Sequence, residues 1–252
     1  MEVLVAIKRV PLSGGRFVLT DDQTGIDTRR LGFTVSPHEE CAVELAVRLV
    51  EAHGGSSTVL SLGVAESADQ MREAMAIGVD RGILLETDGS EWDAQATATA
   101  IADAVRADGT AFDLLLFGNE SADASGSQVG IRVAHLLGRP VVTGLKSLTV
   151  QGGRLRGERP VAGGREVFEV PLPAVATVKD GVAIPRYPSV PGRIRAKKKP
   201  IHSTTPDHPA SRLQMCRFTL PAESGKRATV LGTGPEAAGA VVEVFRKIGA
   251  IQ

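Results

Sequence analysis

The densest group of residues able to do chemistry runs from Gly118 to Gly130. Between those glycines lie Asn119, Glu120, Ser121, Ala122, Asp123, Ala124, Ser125, Gly126, Ser127, Gln128 and Val129. Small side chains leave backbone N–H groups open, and such a loop leading into a helix can cradle a phosphate. The same residue types also make ordinary surface turns. Composition leaves both readings standing.

Two further glycine clusters are weaker. Ser13, Gly14, Gly15, Arg16 and Phe17 begin like the loop with which ATP pyrophosphatases grip a leaving pyrophosphate, but that pattern requires an Asp where Phe17 stands. The cluster reads as a turn. Gly232, Gly234 and Ala237 have the spacing of a dinucleotide fingerprint after a β-like run at 228–231, yet only 15 residues follow Ala237. A second strand carrying a ribose-binding acid cannot fit there, so this is a loop before the last helix. His38, His53, His135, His202 and His208 show no metal-ligand spacing, and Cys41 and Cys216 fit neither a zinc site nor a redox pair. No nucleophile elbow, Walker loop or His-Glu-x-x-His motif occurs. The chain is not equipped to make or break covalent bonds.

The elements that must position the loop follow from apolar periodicity. Runs at Val3 to Ile7, Thr58 to Leu62, Gly82 to Leu85 and Asp113 to Phe117 are too short for helices and bounded by Gly or polar residues. They read as buried strands. Val43, Ala46, Val47 and Val50, then Ala98, Ile101, Ala102 and Val105, repeat at helical spacing, and a third helix is expected from about Ser125 to Leu137. Strand–helix alternation predicts an α/β fold: a doubly wound, mainly parallel sheet covered on both faces. Ligands in such sheets bind beyond the carboxyl ends of the strands, here the loops after Ile7, Leu62 and Phe117.

After Pro140 the pattern becomes β-rich, with Ser147 to Val150, Leu155 to Glu158, Glu166 to Val170 and Ala174 to Val178, and with Gly152-Gly153 and Gly163-Gly164 as hairpin turns. Prolines and basic residues from Ile184 to Thr205 predict an extended arm with no core of its own. A last helix from about Glu236 to Ile248 carries Val241, Val244, Phe245 and Ile248 on one face, which must be buried, against a partner if not against the chain itself. The expected organisation is a nucleotide-binding α/β domain over 1–183 containing the β-rich section 141–178, an arm over 184–205, and a C-terminal extension over 206–252.

The 252 residues, 42% of them hydrophobic, suffice for one such domain with appendages. The 29 basic and 29 acidic residues cancel, so no global field draws the chain to nucleic acid or anionic lipid. No run approaches the ~20 apolar residues of a membrane helix. With no leader pattern and only two cysteines, whose spacing fits neither a zinc site nor a redox pair, a cytoplasmic location is expected.

Four segments together resemble the β subunit of electron-transfer flavoproteins: Val3 to Val10, Ser36 to Leu49, Ala74 to Gly82, and Pro185 to Lys199. The similarity runs in order over roughly residues 1 to 200, and the loop at Gly118 to Ser121 matches a variant common in bacterial members. The resemblance implies an adenine-nucleotide α-hydrolase-like sheet that binds AMP, or a second FAD, through Ala6, Ser36, Pro37, His38, Glu39, Leu62 and the loop from Asn119 to Gly130. Ser125, Ser127 and Gln128 would hold the phosphate, with Ala6 and Leu62 facing adenine or ribose. It further implies that a redox FAD is held mainly by an α subunit. Two β-subunit positions near that flavin, often aromatic in the family, fall here at about Ser13 and His38. The last segment resembles the recognition loop for flavin-dependent dehydrogenases, with Val190 at the anchor position, Tyr187 beside it, and Arg193 and Arg195 in a basic rim. Implied partners are thus the α subunit and client dehydrogenases, with no nucleic acid. From another class, a stand-alone adenine-nucleotide sensor like universal stress proteins remains the alternative; an ATP-cleaving enzyme is opposed by Phe17.

Overall fold

A computed structural model of the chain describes residues 1–12, 17–208, 213, 215–221 and 228–251. Its elements are β1 (Glu2–Ile7), β2 (Val10–Pro11), β3 (Phe33–Thr34), α1 (Pro37–His53), β4 (Ser56–Gly63), α2 (Ser67–Ile77), β5 (Arg81–Glu86), α3 (Ala94–Ala107), β6 (Leu114–Gly118), α4 (Val129–Leu137), β7 (Val141–Leu145), β8 (Ser147–Gln151), β9 (Arg154–Val161), β10 (Gly164–Pro171), β11 (Ala174–Val178), α5 (Val190–Ala196) and β12 (Ile201–Thr204). A short 3-10 turn, Pro235–Ala237, precedes α6 (Ala238–Lys247).

The central strands β1, β6 and β11 are apolar at nearly every position because the sheet is buried on both sides there. Val3, Val5 and Ile7 of β1 point with Val59, Leu84, Leu114 and Leu116 into a core under α1 and α2. Leu4 and Ala6 point with Leu60, Ile83, Leu85, Leu115 and Phe117 into a second core under α3 and α4. The seven strands are ordered β12-β5-β4-β1-β6-β11-β7, and every pairing is parallel. Leaving β1, the chain reaches α1 on one face; leaving β6, it reaches α4 on the other. The crevice predicted from strand order therefore opens between the carboxyl ends of β1 and β6.

Several expectations change in detail. Ala174–Val178 is not part of the antiparallel β-rich section: it inserts in parallel between β6 and β7, while β8, β9 and β10 form a separate three-stranded antiparallel sheet. The Gly152-Gly153 turn is as expected, with φ of 56° and 71°, the mirror-turn geometry that suits a two-residue hairpin. The helix expected from Ser125 begins only at Val129, because Ser125 and Ser127 have φ of 48° and 51° and cannot be helical. The expected coreless arm is anchored: α5 buries Gly192 and Ala196, and β12 extends the sheet beside β5. Of the last helix, no residue is buried, so its apolar face, with Phe245 at 45% exposure and Ile248 beyond it at 67%, is not covered by the described residues.

Candidate nucleotide-binding site

At the crevice, Ser36 is the residue before α1, extended at φ −67° and ψ 147°, followed by Pro37 in the first helical turn. That arrangement suits a helix start, since proline has no N–H to leave unsatisfied. Ser36 Oγ accepts a hydrogen bond from the Ala122 N–H at 2.9 Å, which fastens the loop after β6 to the head of α1. The loop is also tied back to the sheet. Asn119 N–H donates to Val178 O at 2.8 Å, and Thr177 Oγ1 donates to Asn119 Oδ1 at 3.0 Å.

Within the loop, Ser125 N–H donates to Ser121 O at 2.9 Å and Ser127 Oγ donates to Glu120 Oε2 at 3.0 Å. Two left-handed non-glycine residues in one loop cost of order 1–3 kcal/mol each. Such strain persists where the surroundings enforce one backbone shape, and alternating left-handed residues turn N–H groups toward a common concavity.

These pieces enclose a hollow of about 340 Å³ lined by Ser36, Pro37, His38, Glu120, Ser121, Ala122, Ser125 and Asp180. His38 Nε2 lies 3.4 Å from Asp180 Oδ1, which Lys146 also contacts at 2.9 Å. The Lys146 hydrogen bond and charge hold the Asp180 carboxyl below its ordinary range. Asp123 is engaged by Lys8 at 2.6 Å. Burial pushes the Asp123 carboxyl up, but the Lys8 charge and hydrogen bond outweigh it and the net shift is downward.

Glu39 is buried next to Pro37 and His38 in the first turn of α1. Its Oε2 accepts from the Ser36 N–H at 3.2 Å, and Gly118 packs on it so closely that a Cβ there would stand 2.6 Å from Glu39 Cγ. Burial pushes the Glu39 carboxyl up to about 8, against hydrogen bonds from the Lys8 and Ser36 backbone. Gly118 is thus required for close approach rather than for an unusual φ.

Of the sequence-predicted positions, Ser36, Pro37, His38, Glu120, Ser121, Ala122 and Ser125 come together at the hollow. Ala6, Leu62 and Val129 lie on the opposite face, against the α3–α4 core. Gln128 is turned away, its Oε1 accepting from Arg132 Nη2 at 2.8 Å beside a second hollow lined by Gln95, Arg132, His135 and Leu136. Gly130 is buried where a Cβ would meet Thr177 Cγ2 at 2.9 Å. Ala124, Gly126 and Ser127 are exposed on the loop. Ser13 lies outside the described residues. Sequence reasoning misses Asp180, although the strand-end rule finds it once Ala174–Val178 is taken as a strand of the main sheet.

At the other expected surface, Tyr187 is 97% and Val190 72% exposed, with Arg193 and Arg195 exposed beside them. Among the described residues there is no group of three His, Cys, Asp or Glu that could hold a metal ion. No helix among them is long and apolar enough to cross a membrane.

Comparison with known proteins gives a consistent result. A family profile described as "Electron transfer flavoprotein domain" matches residues 24–209. A protein of Syntrophomonas wolfei named "Electron transfer flavoprotein subunit beta" is 34% identical over 222 residues, covering 88% of this chain and 86% of that protein. Proteins of the same name from Bacillus subtilis and Bradyrhizobium diazoefficiens are 34% identical over 189 residues (72% of this chain, 73% of that protein) and 33% identical over 239 residues (91% and 92%).

Proposed function

The chain belongs to the electron transfer flavoprotein family as a relative of its β subunits, and from that premise we propose that it binds AMP in the β1–β6 crevice and helps enclose an FAD held mainly by an α subunit. In that role it serves to carry electrons from flavin dehydrogenases to a downstream acceptor, in the cytoplasm. The observation that carries the nucleotide reading is the loop 119–130, which is held in a strained shape by Ser36 and Asn119 at the topological switch point.

The donors present fit an adenosine monophosphate. Loop N–H groups and the Ser125 hydroxyl at the hollow would take the phosphate. Glu39, buried behind Gly118 and kept neutral below about pH 8, adds no negative charge there; of the two carboxylates that line the hollow, Asp180 is paired with Lys146 and Glu120 accepts the Ser127 hydroxyl. FAD, when bound, supplies the redox chemistry; the protein supplies binding, orientation and electrostatics. Toward the flavin, the chain offers His38 in place of an aromatic ring, and Asp180 is positioned to balance that imidazole when it is protonated.

Partner contacts complete the reading. Val190 is the dehydrogenase anchor within Tyr187 to Arg195. The exposed apolar face of α6 is the chain's hold on the α subunit, which satisfies the requirement that this face be buried. The test is co-expression with an electron transfer flavoprotein α subunit, followed by size-exclusion chromatography and an absorption spectrum. A yellow 1:1 complex is expected; a colourless monomer that still binds adenine nucleotide would instead support a stand-alone sensor.

A further inference from the structure

The segment that presents Tyr187 and Val190 is gripped at both ends. On its first side, three residues of α1 spaced one and two turns apart (Glu44, Arg48 and Glu51) face residues 184 to 186. Glu44 Oε2 accepts the Arg186 backbone N–H at 3.1 Å, and Arg48 Nη2 donates to Ile184 O at 3.0 Å. The Arg186 guanidinium lies between both acids: Nε is 3.0 Å from Glu44 Oε2, Nη1 is 2.7 Å from Glu51 Oε1 and Nη2 is 2.9 Å from Glu51 Oε2. Glu44 is fully buried and also takes Arg48 Nε at 2.6 Å. Bidentate guanidinium–carboxylate pairing fixes orientation as well as distance.

On the far side, Ser189 Oγ accepts the Gly192 N–H at 3.1 Å to start α5, and Gly192 sits where a Cβ would come 2.5 Å from Ala76 O. Arg72 Nη1 donates to Ala196 O at 2.6 Å, and Lys199 Nζ reaches the Met75, Gly78 and Val79 carbonyls at the end of α2. Between these grips Tyr187, Val190 and Ile194 project into solvent. Val190 and Ile194, four residues apart on α5, share one helix face.

We propose that Arg186, seated between Glu44 and Glu51, is the positioning residue of this docking face, holding Tyr187, Val190 and Ile194 in their presented arrangement before a partner arrives. The proposal rests on the docking role given to the segment above. Its physical content is pre-organisation: side chains already fixed in the free protein lose less freedom on association. The face is an apolar patch with Arg193, Arg195, Lys197 and Lys198 exposed around it. It fits a partner with an apolar pocket inside an acidic rim.

The experiment measures electron transfer from a flavin dehydrogenase into the intact heterodimer, with the heterodimer as the varied substrate. Arg186→Gln, Arg186→Lys and Val190→Ala are compared, with FAD content and hydrogen exchange over 185–196 recorded for each. Arg186→Gln leaves Glu44 its Arg48 partner. It is expected to raise KM about tenfold with kcat within about twofold and FAD content unchanged, and to speed exchange in the segment; a tenfold change is about 1.4 kcal/mol. Arg186→Lys, which keeps the charge but not the fork, is expected to fall between. A raised KM for Val190→Ala with wild-type KM for Arg186→Gln would overturn the positioning role and leave the docking role intact. Wild-type KM for both would remove the docking role itself. Should Arg186→Gln not assemble, Glu51→Gln carries the same test at the surface with an expected rise of about threefold, from loss of one arm of the bidentate pairing, and an unchanged KM there overturns the proposal.

Discussion

Replacing Glu39 by glutamine isolates a buried carboxyl in the first turn of α1, packed against Gly118. In the folded chain this group is raised from 4.5 to about 8, chiefly by burial. An acid whose folded value lies above its unfolded value binds more proton when folded, so its contribution is fully present below about pH 4.5 and is lost as pH rises toward 8. Each pH unit inside that window is about 1.4 kcal/mol. Between about pH 5.5 and 7.5 the wild-type protein should therefore lose on the order of 2–3 kcal/mol through this group. The amide of the substituted side chain does not titrate, and its oxygen can still accept the Ser36 N–H. Urea unfolding of both proteins in the same assembled state, at several pH values across this range, measures the difference. The two stabilities are expected to be close at the acid end and to diverge in favour of Glu39→Gln at the alkaline end. Parallel pH profiles would refute the claim that burial keeps Glu39 neutral in the folded chain.

Gly118→Ala places a methyl 2.6 Å from Glu39 Cγ and 3.1 Å from Glu39 N, and is expected to cost about 1–3 kcal/mol in urea unfolding and to lower nucleotide retention. Ser36→Ala removes the acceptor of the Ala122 N–H; a loss of about 1 kcal/mol and weaker retention of nucleotide on gel filtration are expected. Val190→Ala removes two methyl groups' worth of burial, about 1.5 kcal/mol, so transfer from a client dehydrogenase at limiting concentration should slow about tenfold with FAD content unchanged.

The parts of the fold legible in the sequence are those whose burial is written locally. β1, β4, β5 and β6 show as continuous apolar runs because helices cover both their faces, and α1 and α3 show as apolar stripes. β7 is illegible since Gly144, at φ 69°, interrupts a short strand. β11 reads with the hairpins it follows, because insertion between β6 and β7 is decided by distant partners. α5 and β12 hide within a proline-rich, basic segment: their order comes from Arg72, Lys199 and Glu44, which act across the fold rather than along the chain. At the crevice, residue types locate the loop and strand order locates its mouth. The left-handed serines, which shorten α4 and shape the loop, are tertiary in origin and carry no glycine to announce them.

The central claim is that this chain is the nucleotide-holding half of a flavoprotein heterodimer. Native mass spectrometry of the complex purified after co-expression with an α subunit tests that in one spectrum. The predicted mass is one copy of each subunit plus one FAD and one AMP. A chain that emerges alone or as a homo-oligomer, carrying neither group, would contradict it.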